Sequence, residues 1–492
     1  MNDTFVNIKV DREERPDVDG VYMTVTQMLT GSGGWPMTVV MTPEREPFFA
    51  GTYFPRETRM GRIGMLDLVP RIAKLWKEQR ESITGDAKKV VRALQEAGEE
   101  DKGAKLDESA LEKAVDQMAS RYDRQNGGFS TAPKFPTPHN LGFLLRQWKR
   151  REEPELLEMV ENTLEKMRRG GIYDHVGFGF HRYSTDARWL VPHFEKMLYD
   201  QALLALVYTE AFQATGREVF KAAAREIFAY VLRDMTSPEG GFYSAEDADS
   251  EGKEGKFYLW TTEQIEKAAG EKDAAFVQRV FNAQEAGNFQ DPMTGRSSGE
   301  NILHLNKAPE QLAKMMDIPF EEFEDRLESV RKKLFEAREL RVHPYKDDKI
   351  LTDWNGLMIA ALARGGSVLN DPGLVKAAAR AADFILNRMK SPEGGLLHRF
   401  RDGHAGIEGH LDDYAFLIFG LIELYEADFE VRWLEEALSL TRKMIEEFAD
   451  EENGGFYFTS SCGETVLLRR KEVYDGAVPS GNSVAALNLL RL

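Results

Sequence analysis

The chain has 492 residues, of which 42% are apolar and 30% charged, the balance of a folded globular protein rather than a disordered or fibrous one. Aspartate and glutamate number 82 against 64 lysines and arginines, and the net charge of −18 argues against a nucleic-acid backbone or an anionic membrane as the main partner. The single cysteine, Cys462, excludes an intramolecular disulfide, a Cys-x-x-Cys redox pair and a multi-cysteine zinc site. No metal and no cofactor are expected.

The first hundred residues alternate strand and helix patterns. A β-rich run covers about residues 5–11, and apolar residues at helical spacing follow. Two β runs joined by a short turn then predict a hairpin, and an amphipathic helix closes the region. The predicted segments are a helix over Asp17–Leu29, strands over Met37–Met41 and Phe48–Phe54, and a helix over Leu66–Arg80. This order is that of the second half of a thioredoxin-like fold, so we predict a partial domain of that kind over residues 1–100, without dithiol chemistry.

From residue 105 onward, long helices of two types alternate. Amphipathic, charged helices are predicted to face solvent on one side, whereas densely apolar ones are predicted to be buried. The outer type covers Glu108–Arg121, Glu155–Arg168, Arg217–Arg233, Glu321–Ala337, Leu374–Lys390 and Trp433–Phe448. The inner type begins near His139, His193, Thr262, Asp353, His410 and Ser480, and the third of these has a polar body. About six alternating pairs predict an (α/α)6 toroid over residues 105–492, so the fold class is mainly α.

The segment richest in chemistry-bearing residues is 171–202, a glycine-rich aromatic loop that feeds a helix predicted to open with His193 and Glu195. Histidine near neutral pH acts as a general acid or base, and we take these two residues as candidate catalytic groups. The alternative is that His193 is a packed loop residue and that the helix dipole stabilises Glu195. Candidate substrate-binding residues in the same segment are His181, Arg182, Tyr183, Trp189 and Asp200.

The starts of the other inner helices add polar groups. Asp353 and His410 are further catalytic candidates, although Asp353 is equally compatible with a helix cap. The acidic connector 243–249, followed by Glu251 and Glu254, is compatible with a metal site, with a catalytic acid or with a solvated hairpin. The remaining substrate-binding candidates are Asp247, Asp249, Trp354, Asn355, Asp413, Tyr414 and Asp475.

Several long motifs resemble one known family. They are Lys9–Asp17, Gly33–Pro36, Gly51–Pro55, His193–Asp200, Ala245–Ser250 and Pro479–Asn482. The chain resembles the thioredoxin-domain proteins of the spermatogenesis-associated protein 20 and YyaL type, the DUF255 family. This resemblance implies a thioredoxin-like domain joined to a six-hairpin-glycosidase-like toroid similar to N-acylglucosamine 2-epimerases, and a cis peptide bond at Trp35–Pro36. It also implies that the chain starts after the Cys-His-Trp-Cys-His segment that family members usually carry.

The residues and the resemblance together predict a carbohydrate-active protein whose site lies at the mouth of the toroid. In an epimerase version, a histidine such as His193 or His410 removes a proton next to a sugar carbonyl. In a hydrolase version, two carboxylates flank a glycosidic bond. The alternative is a non-catalytic module that binds a glycan or a protein. A small-molecule or glycan ligand is expected, without nucleic acid or membrane as partner, and a cytoplasmic location is expected because no signal-peptide pattern is visible.

Overall fold

The computed structural model describes residues 1–97, 107–290, 295 and 297–492, and the chain divides into two compact units. The N-terminal unit contains Met1–Lys105, Ile407–Asp412 and Arg442–Val473. The helical unit contains Leu106–Gly406, Asp413–Thr441 and Tyr474–Leu492. Two segments that the sequence analysis assigns to the toroid, 407–412 and 442–473, therefore pack with the N-terminal unit.

The N-terminal unit contains the predicted helix, hairpin and closing helix. Its elements are α1 (Pro16–Thr30), β1 (Thr38–Met41), β2 (Pro47–Gly51), α2 (Met65–Glu78) and α3 (Arg80–Ala97). β1 and β2 pair antiparallel, and the Trp35–Pro36 peptide bond before them is cis, as the resemblance implies. A small core of Val21, Val25 and Leu94 packs against partly buried residues that include Val466 and Leu468.

The strand predicted over residues 5–11 is wrong, since the structure has no strand there. Val6 and Ile8 are 91% and 77% exposed. The backbone groups of a strand need a neighbouring strand, and among the described residues this run has none. Its β-branched side chains therefore have no pleated surface on which to pack.

The helical unit contains most of the secondary structure of the chain. Its helices are α4 (Glu108–Arg121), α5 (Pro138–Arg151), α6 (Pro154–Arg169), α7 (Leu198–Thr215), α8 (Glu218–Asp234), α9 (Thr262–Ala269), α10 (Glu271–Val280), α11 (Pro309–Met316), α12 (Phe320–Arg338), α13 (Thr352–Leu369), α14 (Pro372–Arg388), α15 (Leu411–Asp428), α16 (Val431–Phe448) and α17 (Gly481–Arg491). Short strands connect them: β3 (Tyr183–Ser184), β4 (Pro192–His193), β5 (Lys196–Met197), β6 (Ala245–Glu246), β7 (Asp249–Ser250), β8 (Lys253–Glu254), β9 (Lys346–Asp347), β10 (Ile350–Leu351), β11 (Leu397–Arg401) and β12 (His404–Glu408). The ends of α15, α16 and β12 lie in the N-terminal unit.

The alternation of outer and inner helices is confirmed except at the third predicted inner helix. The six predicted outer helices are α4, α6, α8, α12, α14 and α16, each within two residues of its predicted bounds. Inner helices such as α7 and α13 are buried over nearly their whole length, as expected for helices that are apolar on every side. The predicted fold class is thus confirmed as mainly α, with sheets of only two or three strands among the described residues. No described helix is both long and apolar enough to cross a bilayer.

The third predicted inner helix differs from the others in its packing. α9 starts where predicted, with a capping box formed by Thr261 and Gln264. It has only eight residues, however, and buries Ile265 and Ala269 in a separate core that α9 shares with α10, α11 and α12. α7 packs directly against α13. The polar body of α9 makes it an amphipathic helix of this side cluster rather than an inner helix.

Five inner helices are joined by a ladder of ion pairs with alternating charge. Arg146 of α5 binds both carboxylate oxygens of Glu210 of α7, at 2.8 and 2.9 Å. Arg364 of α13 bonds to Glu210 and to Glu423 of α15, and Arg491 of α17 donates to Glu423 at 2.7 Å. The ladder places the inner helices in the order α5, α7, α13, α15 and α17.

We expect Arg364→Met to destabilise the protein by about 2–4 kcal/mol, because it leaves two largely buried carboxylates short of a cation. Glu210 and Glu423 are only 15% and 3% exposed. Arg146→Met is the matched control, since Arg146 is 55% exposed and its loss should cost under about 1 kcal/mol. Urea unfolding followed by circular dichroism compares the two variants. If both variants lose the same free energy of unfolding, the ion pairs of Arg364 contribute no more than a surface ion pair.

Candidate functional site

Residues 192–197 form an extended segment that carries the two central catalytic candidates. β4 pairs with β3 in the register Tyr183↔His193, and β5 pairs with β6 in the register Lys196↔Glu246. The Glu195 carbonyl accepts the backbone N–H of Arg182 at 2.8 Å. Because these backbone groups are used by neighbouring strands, α7 begins at Leu198, and the predicted helix opening at His193 is wrong.

The extended conformation sorts the side chains of this segment onto two faces. Successive side chains of a strand point to opposite sides. His193 and Glu195 are partly exposed, at 24% and 29%, whereas Phe194 and Lys196 are buried. The segment therefore presents His193 and Glu195 to solvent while the other two side chains anchor it.

A chain of four alternating charges runs across the exposed face, and we call it the rim network. Arg182 donates from Nη1 to Glu195 Oε2 at 2.8 Å, and the same oxygen lies 3.2 Å from His193 Nε2. The Nδ1 atom of His193 lies 2.7 Å from Oε1 of Glu254, which is on β8. The imidazole is thus held between two carboxylates. Because every carboxylate in the network is bonded to a cation, the network is not arranged as a metal-ligand set.

Aromatic side chains flank the rim network on both sides. The ring of Tyr183 stacks on His193 with centroids 5.0 Å apart, and Phe135 stacks on Tyr183 at 4.8 Å. On the other side, Arg182 Nε donates to the Tyr199 hydroxyl at 3.1 Å, and Tyr199 packs edge-on against Trp354 of α13 at 4.8 Å. Tyr183 is partly exposed, whereas Tyr199 and Trp354 are buried and support the rim from within.

The rim network fixes the charge states of its members at neutral pH. Burial opposes the charge on His193, but Glu195 and Glu254 outweigh it and raise the pKa of the imidazole to about 9. Burial also opposes the charge on Glu195, but His193 and Arg182 lower the pKa of its carboxyl to about 2. Near pH 7 the site therefore holds an imidazolium in contact with a carboxylate.

We expect the thermal stability of the wild type to fall between about pH 6.5 and pH 9. A histidine whose folded pKa exceeds its unfolded value of about 6.5 stabilises the fold below that value, and this contribution is lost as the pH rises through the folded pKa. After allowance for solvent screening at half-exposed Glu254, the contribution is about 2 kcal/mol. In scanning calorimetry the unfolding temperature of His193→Gln should fall less over this pH range than that of His404→Gln. The second variant is the control, because His404 is exposed and has no ion pair among the described residues. Identical pH profiles in all three proteins would contradict the assignment.

The inward side chains of the segment meet a buried ionic cluster. Lys196 donates to Oδ2 of Asp174 at 2.8 Å, and Arg338 of α12 donates to Oδ1 of Asp174 at 2.8 Å. His181 lies on this inward side, where its Nδ1 is 3.0 Å from the Phe194 carbonyl, and burial lowers its pKa to about 3. His181 is therefore a neutral, buried residue behind the rim network.

A second group of candidates surrounds the start of α13. Asp413 of α15 accepts the backbone N–H of Asp353 at 3.0 Å and contacts Nδ1 of His398 at 2.9 Å. Trp354 links this group to the rim network through Tyr199. Asn355 is fully buried, and its amide bonds to the backbone of Phe242 and Leu351. The Tyr414 hydroxyl accepts the backbone N–H of Leu396, so Asn355 and Tyr414 both support connectors in this structure.

The remaining candidates occupy separate positions. Trp189 is fully buried and donates to the carbonyl of Asn126. Asp247 and Asp249 are exposed on the acidic connector, where Asp249 pairs with Glu254 in the β7–β8 hairpin. Asp475 is exposed and accepts the backbone N–H of Ser480. The candidate Asp200 is buried in the first turn of α7.

His410 belongs to the N-terminal unit rather than to the helical unit. There its Nε2 lies 3.7 Å from Oδ1 of Asp17, and its ring stacks on Phe458 at 5.0 Å. Arg15 also binds Asp17, with contacts of 2.9 and 2.8 Å. His410 is thus a buried member of an ionic group in that unit.

Three contributors to the rim, Glu254, Tyr199 and Phe135, are not among the candidate site residues predicted from the sequence. Glu254 lies 61 residues from His193, and only the acidic character of the connector pointed to it. Tyr199 and Phe135 carried no signal beyond their aromatic character, because their roles depend on which elements meet at the rim. His398, the partner of Asp413, lies in a strand-like run that gave no functional signal.

The fold and the site define a mainly helical protein of paired helices, with a charged and aromatic rim and a small α/β part. Residues 1–95 match a family model described as a protein of unknown function, DUF255. The human spermatogenesis-associated protein 20 is 40% identical over the whole chain, which spans 67% of that protein. An uncharacterized protein of Caenorhabditis elegans is 34% identical, with 71% of its length covered. The chain belongs to the DUF255 family of spermatogenesis-associated protein 20.

More distant similarities occur among solved structures. A sugar epimerase from a ruminal bacterium aligns over 78% of this chain and 98% of its own, with a TM-score of 0.36 and 16% identity. An unsaturated glucuronyl hydrolase from Bacillus aligns over 78% of this chain and 81% of its own, with a TM-score of 0.44 and 13% identity.

Proposed function

We propose that the helical unit is a carbohydrate-active enzyme that performs acid–base chemistry next to the carbonyl of a reducing sugar, giving an epimer or an isomer. The observation that carries this proposal is the contact of 3.2 Å between the His193 imidazolium and the Glu195 carboxylate on the exposed face of one segment. Beside this pair Tyr183 is partly exposed and stacks on His193, so one aromatic side chain is available for contact with a sugar.

The charge states of the carboxylates favour this chemistry over glycoside hydrolysis. His193 lies between Glu195 and Glu254, and the pKa of each carboxyl is lowered although burial opposes the charge, so neither is the protonated acid that hydrolysis needs. Hydrolysis needs two carboxyl groups about 5–9.5 Å apart, one on each side of the scissile bond. Enolisation instead acts on adjacent atoms, the C–H and the neighbouring C=O, and a base and a proton donor in mutual contact can reach both. The rim network offers such a pair.

The charge states assign the two roles. Glu195, with a pKa of about 2, is ionised and takes the proton from the carbon next to the carbonyl. The C–H electron pair forms the C=C bond, while the carbonyl electrons move to the oxygen, which accepts a hydrogen bond from His193. Glu195 then delivers the proton to the former carbonyl carbon while His193 passes the hydroxyl proton from one oxygen to the other, which gives the isomer without another reactant. The epimer forms only when the proton returns to the opposite face of the original carbon. With a pKa of about 9, His193 is charged near neutral pH and suits proton donation. We therefore propose Glu195 as the base instead of His193.

Proton exchange in D2O tests the proposal directly. The full chain is incubated with a panel of reducing mono- and disaccharides, and loss of the C2 proton signal is followed by NMR. We expect exchange with at least one sugar and its loss in His193→Ala. Aryl glycosides in parallel test hydrolysis. If no sugar exchanges and the variant behaves as the wild type, the enzyme proposal is refuted.

A binding module without catalysis is the second candidate, and one observation favours it. The charges of Arg182, Glu195, His193 and Glu254 are satisfied by one another, as in a rigid polar rim that only orients a ligand. Saturable sugar binding without exchange of any proton would support this candidate over the first.

A further inference from the structure

Two neighbouring inner helices carry, in their first turns, a polar side chain with shielded polar atoms; Asp200 is buried and His139 is partly buried. His139 is the second residue of α5, and Asp200 is the third residue of α7. Three atoms of these side chains have no hydrogen-bond partner among the described residues: both ring nitrogens of His139 and the Oδ2 atom of Asp200. All three are shielded from solvent.

Such unpaired atoms are unusual in a folded protein. A buried polar group left without a partner costs about 1–3 kcal/mol, and nearly all such groups in proteins are paired. Other described residues, such as Thr209, also have an unpaired buried atom, so the position of these two groups at the starts of neighbouring inner helices is what favours a bound molecule as their missing partner.

Both side chains lie at the rim end of the inner helices. α5 packs against α7. Phe135, just before α5, stacks on Tyr183, which stacks on His193. Asp200 follows Tyr199, whose hydroxyl bonds to Arg182. The rim network and the two buried groups are therefore parts of one region.

Burial favours the uncharged form of both groups. Burial lowers the pKa of His139, although Asp475 opposes this, and a neutral imidazole ring both donates and accepts. Burial raises the pKa of Asp200 well above its ordinary value, which favours the protonated carboxyl, a group that also donates and accepts. Hydroxyl groups have the same dual capacity. Arg182, a cation whose charge acts on Asp200, is already engaged by Glu195 and Tyr199.

We propose that His139 and Asp200 form a subsite for hydroxyl groups of the sugar, so that the substrate is a neutral saccharide rather than a uronate or a sugar phosphate. This inference rests on the proposed function, because it names the substrate class of the same rim. The unpaired buried atoms and their position at the start of α5 and α7 carry it.

Binding of defined probes to the full chain tests the substrate class. Calorimetry with glucose, mannose and N-acetylglucosamine is compared with glucuronate and glucose 6-phosphate, and D2O exchange is run on each. We expect neutral sugars to bind at least about tenfold more tightly, a difference of about 1.4 kcal/mol. Tighter binding and exchange of the anionic sugars would overturn the subsite while leaving the proposed function intact. Neither binding nor exchange with any probe would overturn both.

Variants separate a ligand-binding role from a structural one. Asp200→Asn mimics the protonated carboxyl, so neutral-sugar binding should stay within about threefold, whereas Asp200→Ala should lose about tenfold or more. Thr209→Val is the matched control, since its hydroxyl is also buried and unpaired among the described residues but lies farther along α7. Equal binding in Asp200→Ala and the control would refute the role of Asp200.

Thermal stability provides a readout that needs no ligand. His139→Leu removes two unpaired buried nitrogens at similar volume, and the free protein should unfold about 1–3 °C higher than the wild type while binding more weakly. A structural histidine would give the opposite sign. A lower unfolding temperature in this variant would contradict the proposal.

Discussion

Replacing Asp174 by alanine is expected to destabilise the helical unit by about 3–5 kcal/mol, because two buried cations lose the counterion that they share. Lys196, Arg338 and Asp174 are each less than 5% exposed. The Asp174 carboxylate also accepts the backbone N–H groups of Val176 and Gly177, at 3.0 and 3.1 Å. Burial penalises its charge, but Arg338 and Lys196 outweigh that penalty and hold the pKa of the carboxyl well below its ordinary range.

A second doubly paired aspartate in the same unit gives the matched control. Asp273 accepts from Arg326 and Lys333, whose side chains are 33% and 43% exposed. Its replacement by alanine leaves both cations accessible to water and should cost about 1 kcal/mol or less. Chemical denaturation of the full chain, followed by fluorescence and circular dichroism, compares the two variants. If both variants lose the same free energy of unfolding, the buried cluster contributes no more stability than an exposed ion pair.

The same substitution should also loosen the rim. Lys196 and Phe194 are the inward side chains of the segment that presents His193 and Glu195 outward. When Asp174 no longer holds Lys196, the contact between His193 and Glu195 should weaken, and the pKa of His193 should fall from about 9 toward its ordinary value. NMR titration of the imidazole in the Asp174→Ala variant measures this shift.

Local periodicity explains why the helices were predictable. The outer helix α4 has the bounds read from its charge pattern, Glu108–Arg121, because amphipathic spacing depends on residues three and four apart. The strand at residues 5–11 failed because a strand depends on a partner that local sequence does not specify. The packing of α9 could not be predicted from the sequence either, because its capping box at Thr261 defines where the helix starts but not which helices it contacts.

The candidate site was predictable only in part, for a related reason. The density of histidine, carboxylate and aromatic residues in one loop predicted His193, Glu195, Arg182 and Tyr183 as candidates. The helix predicted at His193 was wrong because pairing with β3 and β6 overrides the local pattern. The anchor of this segment joins Asp174 to Arg338, 164 residues away, and no local pattern reveals such a pair.

Glu195→Gln is expected to reduce proton exchange at the sugar by about 10²–10⁴-fold, the range typical for loss of a general base. Glutamine keeps the shape of the side chain but cannot take the proton. The effect should fall on kcat with little change in KM, because the substitution leaves Tyr183 and the shape of the rim in place. Exchange in D2O over a range of sugar concentrations separates the two parameters.

Glu254→Gln is the matched control for this prediction, since it alters the other carboxylate that contacts His193. That variant keeps the proposed base, so its exchange rate should fall by less than about tenfold while the pKa of His193 decreases. Both variants lose one carboxylate partner of the same imidazole, and only Glu195→Gln removes the base. If both lose exchange to the same extent, the charge on His193 is the decisive property and Glu195 is not the base. If neither loses it, the catalytic groups lie outside the rim network.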